Sequence, residues 1–474
     1  MARLIGLGLL LLAVCSTLID PAVRASDQFA GYWLGTLSAR ARELRLLVHV
    51  TATTPPTATL TSIDQDGKPR DLRVTIEGRS IALETPQPGA RIQGTLREDG
   101  KTIDATFEQG GASFPLTFSR VDGPPRLNRP QHPSPPFPYT IEEVVVDGPV
   151  KLAGTFSRPA GDEPFPAVVL ISGSGPQDRD QTIFGHKPFL VLADHLTRHG
   201  IAVLRFDDRG AGASSGSRAA ATMEDYAADA LAAVRFLERR PEVDRRRIGL
   251  IGHSEGGVVA PLVARGNRAV SFIVLIAAPA LNGAAIATLQ GERIARAAGA
   301  NDDQIAMQQR LNTRIFEILA REVDEAKARA AIRIVLKEEL ARAGIESADV
   351  VAAAEKQMEP QVRRGLTPWF RHFLSHDPVP SLRAVRVPVL ALYGSLDVQV
   401  PAAENAPVMA AAIGPSSPQS AVRTLPGLNH LFQTAKTGAM EEYGRIEETL
   451  ASAALETISN WILVVAGSKD PADN

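Results

Sequence analysis

Between Phe29 and Val121 apolar and polar residues alternate in short runs, as in Leu44-Arg45-Leu46-Leu47-Val48-His49-Val50 and Asp71-Leu72-Arg73-Val74-Thr75-Ile76. A period of two places one set of side chains on a single face of a strand. Asp66-Gly67, Asp99-Gly100 and Gly110-Gly111 separate these runs and supply the backbone freedom of tight turns. The pattern predicts a small antiparallel all-β domain, a barrel or a sandwich, over residues 26–121. It carries no catalytic constellation, and its one histidine, His49, falls inside a strand as an ordinary strand residue.

Residues 122–139 are dense in proline, including Pro124-Pro125 and Pro135-Pro136, and read as an extended, stiff linker with a domain boundary near residue 130. From Thr140 the period changes. Ala167 to Ile171, Ile201 to Phe206, Ile248 to Ile251, Phe272 to Ala278 and Val387 to Tyr393 are continuous apolar runs, the mark of strands buried on both faces. Between them lie amphipathic stretches, clearest in Thr222 to Arg239, where Met223, Tyr226, Ala230, Val234 and Leu237 share one helical face. Alternating strands and helices predict an α/β sheet built from residues 140–280 and 381–467. The intervening 281–380 is rich in Ala, Arg and Glu and predicts several helices without a buried strand. It reads as a cap over the sheet, or as an extra helical layer with no part in substrate access.

The N-terminus changes the setting. Arg3, the apolar run Leu4 to Leu12 and Ala22-Val23-Arg24-Ala25 make residues 1–25 an export signal, with a mature start near Ser26 and a periplasmic or secreted product. Leu4 to Ile19 is short of the roughly 20 residues of a spanning helix, and Asp20-Pro21 follow at once, so no stable membrane insertion is expected after cleavage. The single cysteine, Cys15, lies inside the signal, which excludes thiol catalysis and thiolate metal sites in the mature chain. A lipoprotein attached through Cys15 is the alternative, with Val14 in the place where a small residue is usual. The net charge of −2, with 22% charged residues, gives no reason to seek nucleic acid. Few aromatics, 5%, argue mildly against a carbohydrate-stacking surface. Oligomeric state is left open.

Gly252-His253-Ser254-Glu255-Gly256 has the spacing of a nucleophile elbow, a sharp strand-to-helix turn that presents serine out of a sheet. With 38 glycines in the chain the spacing alone decides little, and Gly212-Ala213-Ser214-Ser215-Gly216 repeats it. Context separates the two. Ile248 to Ile251 supplies a strand before Ser254 and Gly257 to Val263 a helix after it, whereas Ser214 sits in a glycine and serine loop following Asp207-Asp208-Arg209-Gly210.

A serine hydroxyl needs a base, and the base a carboxylate to fix its tautomer. In chain order these partners are Asp397, just past the strand Val387 to Tyr393, and His430, in a loop after the short strand Ala421 to Leu425. His372 and His376 lie in the cap, His195 and His199 in an early helix, and His253 is fixed in the elbow; Asp377 precedes the strand instead of following it. Two backbone N–H groups should hold the oxyanion: Glu255, and Ser174 of Ser172-Gly173-Ser174-Gly175-Pro176, with Gly173 the neighbouring alternative. That glycine-rich turn lacks the lysine of a P-loop and any dinucleotide fingerprint.

Ser172 to Asp180 (Ser-Gly-Ser-Gly-Pro-Gln-Asp-Arg-Asp), Phe206-Asp207-Asp208-Arg209-Gly210, Gly252 to Gly257 and Asn429-His430 together resemble bacterial carboxylesterases of the EstD type, over roughly residues 140–465. The resemblance implies an α/β-hydrolase fold with a helical cap insertion, and members often carry a β-rich N-terminal domain. It also implies hydrolysis of small-molecule carboxylic esters with short acyl chains, without metal or organic cofactor. The related serine aminopeptidase branch shares fold and triad, which keeps amide substrates open. A non-catalytic ligand-binding protein is the reading from a different class, and the intact triad argues against it.

Overall fold

The computed structural model describes residues 27–467 apart from 40–41, 65–66, 86–88, 110, 126 and 415–416. The expected export signal, Cys15 and the cleavage point therefore lie outside the described residues. The chain divides into two compact units between residues 126 and 127.

The first unit is a closed barrel of eight strands: β1 (Gly31–Ala39), β2 (Arg42–Val50), β3 (Ala58–Ser62), β4 (Pro69–Glu77), β5 (Ser80–Glu84), β6 (Ala90–Leu96), β7 (Thr102–Gln109) and β8 (Ala112–Val121). Each runs antiparallel to the next, and β8 returns to β1 in the register Tyr32↔Val121 to Gly35↔Phe118. Alternation along the strands turns Trp33, Val48, Ile81, Ile92, Phe107 and Phe118 into the interior, which is filled by side chains. Arg120 lies over the Trp33 ring, 4.2 Å from its centroid, and the indole donates to Phe29 O at 2.7 Å. His49 stacks on Tyr32 with ring centroids 4.1 Å apart.

In the second unit come β9 (Tyr139–Asp147), β10 (Lys151–Pro159), β11 (Phe165–Ile171), α1 (Pro188–Arg198), β12 (Ala202–Phe206), α2 (Met223–Glu238), β13 (Val243–His253), α3 (Gly256–Ala264) and β14 (Val270–Ile276). Then follow α4 (Gly283–Ala297), α5 (Asp302–Arg321), α6 (Glu325–Arg342), α7 (Ala348–Gly365), α8 (Pro368–Ser375) and α9 (Val379–Ala384). The chain re-enters the sheet with β15 (Val389–Gly394), α10 (Ala402–Ile413), β16 (Ala421–Leu425) and α11 (Ser452–Gly467).

The sheet order is β16-β15-β14-β13-β11-β12-β10-β9, parallel from β16 to β12, with β10 antiparallel to β12 and β9 antiparallel to β10. Val169, Leu204, Leu250 and Ile273 pack against α2, α3 and α10 on one face. Val168, Val203, Ile251 and Val274 pack against α1 and α11 on the other. Cover on both faces is why these strands are unbroken apolar runs. The hydropathy pattern does not predict the β9–β10 hairpin: β9 is an edge strand with most of its residues exposed, so it lacks the buried-run signature. The proline-dense stretch is not a free spacer throughout. Arg129 donates to Phe184 O, Gly444 O and Ile446 O at 2.9–3.0 Å, and Gln131 bonds the backbone of Thr449 and Leu450, so its later part is strapped to the second unit.

Helices α4 to α9 span residues 283–384 between β14 and β15, and an apolar cluster that includes Phe316, Leu319, Ile332 and Leu374 joins α4 to α8. Among the described residues no helix is long and apolar enough to cross a membrane.

Candidate active site

Strand β13 runs buried from Ile248 to His253 and reverses into α3 within two residues. Ser254 is at φ +55°, a conformation that non-glycine residues adopt only under constraint. Here Ser254 N donates to Ile276 O at 2.8 Å, and Gly257 N to Ser254 O at 2.9 Å. The glycines flanking the turn are imposed by space. A Cβ on Gly252 would stand 2.1 Å from Gly256 O, and one on Gly256 would stand 2.1 Å from Ile171 O. Backbone on both sides leaves neither contact anywhere to yield, so the motif follows from strand and helix meeting this closely.

Ser214 has a different occupation. Its Oγ donates to Asp207 O at 2.7 Å and accepts from Ala153 N at 2.9 Å, which knits a loop together.

Asp397 follows the C-terminal end of β15 and His430 the end of β16. Leu396 N donates to Leu428 O at 2.9 Å, joining the two loops. His430 Nδ1 lies 2.8 Å from Asp397 Oδ2, with the residues 5% and 4% exposed. Asp397 Oδ1 accepts from Gln399 N and Val400 N, both at 2.8 Å, so the carboxylate is aimed from behind. Asn429 Oδ1 accepts from Leu431 N and Gln433 N at 3.0 Å and shapes the loop around His430. The His253 ring, one residue before Ser254, stands 4.9 Å from the His430 ring, which sets the histidine loop beside the elbow.

The loop after β11 closes the site from the other side. A Cβ on Gly173 would come within 3.3 Å of Ser254 Cβ, so Gly173 is in contact with the elbow, whereas Ser174 is exposed. Glu255 is buried, and its carboxyl is hydrogen-bonded to the Ser174 side chain and to the Trp369 indole N–H from α8. Burial raises its pKa against the pull of those bonds. Asp208 accepts from Ser172 Oγ at 2.6 Å and Gln177 N at 3.2 Å, and burial pushes it up to about 7.

A model of the family described as serine aminopeptidase, S33, matches residues 187–434, a span that holds Ser254, Asp397 and His430. The chain belongs to this hydrolase family. The matched span begins after the Ser172–Gly175 loop. The chain is also 34% identical over 192 residues to Esterase EstD of Thermotoga maritima, a stretch covering 39% of this chain and 44% of that protein. It thus spans less than half the length of this curated relative. Among solved structures it is similar to an esterase of Pyrococcus furiosus, at 14% identity and TM-score 0.42 over 73% of this chain and 100% of that one. A hyperthermophilic esterase of Pyrobaculum calidifontis is similar at 18% identity and TM-score 0.40, over 69% and 87% of the respective chains.

Within this S33 family member the rival residues are engaged elsewhere. His372 pairs with Glu224 at 3.1 Å, His195 bonds Ser459 Oγ at 3.0 Å, and Asp377 accepts from Val379 N at the start of α9. Three neighbours of the site escaped the sequence reading. Trp369 reaches Glu255 from α8, and nothing in its local sequence marks it. Asp208 lies in a quoted motif, but its burial is tertiary. Gln181, one residue past another motif, donates to the ring of His253.

Proposed function

We propose that the protein is an exported serine hydrolase that cleaves carboxylic esters of short acyl chain through an acyl-enzyme on Ser254. The observation that carries the reading is the buried His430–Asp397 pair set beside a serine held at positive φ on a strand-to-helix turn. In this mechanism His430 Nε2 takes the Ser254 proton as Oγ attacks the ester carbonyl. The N–H groups of Glu255 and Ser174, with Gly173 the alternative to Ser174, hold the oxyanion; each such donor is worth about 3 kcal/mol. The tetrahedral intermediate collapses as His430 protonates the departing alcohol, and the acyl-enzyme remains. His430 then takes a proton from water, which attacks the acyl carbon, and returns that proton to Ser254 as the acid leaves. Asp397 stabilises the imidazolium at each stage.

Esters are favoured over amides by the likeness to a named esterase, and amides remain the second reading because the family is described by an aminopeptidase. Turnover of p-nitrophenyl esters from acetate to palmitate, beside aminoacyl p-nitroanilides, separates them. A short-chain optimum that disappears in Ser254→Ala is expected. Preference for the anilides would move the assignment to an aminopeptidase, and no turnover of either would return the binding-protein reading. A mature chain that begins near Ser26 outside the cytoplasm is the expected product of export.

A further inference from the structure

An elbow requires glycines beside its serine, but it does not require a histidine between them, and His253 is not the proposed base. Its ring is nevertheless fully engaged. His253 is 7% exposed, its Nε2 lies 3.0 Å from His430 O, and its Nδ1 lies 2.8 Å from Gln181 Nε2. A carbonyl oxygen can only accept, so Nε2 carries a proton and donates it; an amide NH2 can only donate, so Nδ1 presents its lone pair. Turning the Gln181 amide over would demand a proton at Nδ1 as well, and an imidazolium there is disfavoured. Burial, with the neighbouring His430 adding to it, pushes the ring down to about 3.

The main chain of Gln181 is itself held firmly. It sits at φ +52°, with its N–H on Asp178 O at 2.8 Å. Asp178 Oδ1 accepts from Asp180 N and Thr182 N at 3.1 and 2.8 Å, bracketing the residue. Asp180 is anchored by Lys187 and Arg205, and Arg179 is anchored by Asp207. The Asp178-Arg179-Asp180 run, which the reaction itself does not use, thus becomes a clamp that aims one amide at His253.

We infer that Gln181 and His253 are positioning residues for the catalytic histidine: the clamp fixes His253 as its Nε2–H tautomer, and that N–H holds the main chain of His430. Asp397 fixes the His430 ring at Nδ1, and His253 fixes the carbonyl next to the Cα that carries the ring. Two anchors are needed because a ring tied at one atom still pivots. A misplacement of about 1 Å at a reacting group can cost about 100-fold in rate. The inference rests on His430 being the base.

The test uses the full chain and the best p-nitrophenyl ester. His253→Leu removes the donor at similar volume, and His253→Gln restores an N–H near the former Nε2. The expected result is a kcat lowered about 100-fold in the leucine variant with KM little changed, and at least about tenfold recovered by glutamine. Equal activity of the two variants, or a leucine variant within about threefold of wild type, overturns the inference. His430→Ala runs alongside. If it stays active the base assignment fails; if it is dead while His253→Leu is unimpaired, only the positioning role fails. Should His253→Leu not fold, imidazole nitrogen NMR of the wild-type protein decides. A proton on Nε2 and none on Nδ1 of His253 between about pH 5 and 9 supports the inference, and a proton on Nδ1 overturns it.

Discussion

Asp397→Asn exchanges one carboxylate oxygen for an NH2 group and should abolish most of the activity. Oδ1 of Asp397 accepts two backbone N–H groups, from Gln399 and Val400, and Oδ2 accepts from His430 Nδ1. An asparagine can keep the two backbone bonds only with its oxygen in the Oδ1 position. Turned over, it would set an NH2 against two N–H donors, with a penalty of about 1–3 kcal/mol for each group left unsatisfied. The favoured orientation therefore points NH2 at His430 Nδ1, which must then accept. The imidazole proton moves to Nε2, the nitrogen that has to receive the Ser254 proton. The expected loss in kcat is about 10⁴-fold, equivalent to about 5 kcal/mol in the barrier, with KM and the unfolding temperature little changed. Saturating ester turnover and the rate of fluorophosphonate labelling should fall together. Activity within about tenfold of wild type would refute this tautomer argument.

Folded Asp208 sits at about 7 against about 3.9 unfolded, so between these values the folded chain keeps a proton that the unfolded chain has released. Its stabilising contribution is full below about pH 4 and declines as pH rises to 7, by up to roughly 4 kcal/mol, a trend that Glu255 reinforces. Denaturant unfolding at several pH values should show that decline flattened in Asp208→Asn, and an unchanged slope would count against it. Trp369→Phe keeps an aromatic ring beside Phe373 but removes the N–H bonded to Glu255. A fall in kcat/KM equivalent to about 1 kcal/mol is expected in steady-state kinetics, and an unaffected enzyme would show the Trp369–Glu255 contact to be idle. Gly256→Ala drives a Cβ into Ile171 O, whereas Gly266→Ala meets nothing within 4 Å. Thermal unfolding should show the first losing upwards of about 3 kcal/mol or failing to fold and the second unchanged; similar stabilities would contradict the steric account of the elbow.

What the sequence makes legible depends on how local each constraint is. The strands around Val169, Leu204 and Leu250 announce themselves because both their faces are covered, which writes burial into consecutive residues. Asp397 and His430 could be nominated because chain order and position after a strand are one-dimensional properties, and the two stand 2.8 Å apart. Barrel and sandwich could not be separated in the first unit, since closure rests on β1 pairing with β8 across the whole domain, and alternation alone carries no such partner. The β9–β10 hairpin is not legible because an exposed edge strand resembles a loop in hydropathy. In the sequence His253 stands out only as a rival base, and its hydrogen bonds to Gln181 and to the main chain of His430 arise from three separate loops. Trp369 comes from the insertion, far along the chain from Glu255, and no spacing rule connects them.

The central claim is that Ser254 is the nucleophile, and covalent labelling tests it most directly. The protein treated with a fluorophosphonate would be examined by intact mass and peptide mapping, beside Ser254→Ala and His430→Ala. The account predicts one adduct per chain, on the peptide carrying Ser254, absent in the first variant and strongly slowed in the second. An adduct on another residue, or undiminished labelling of Ser254→Ala, would contradict it.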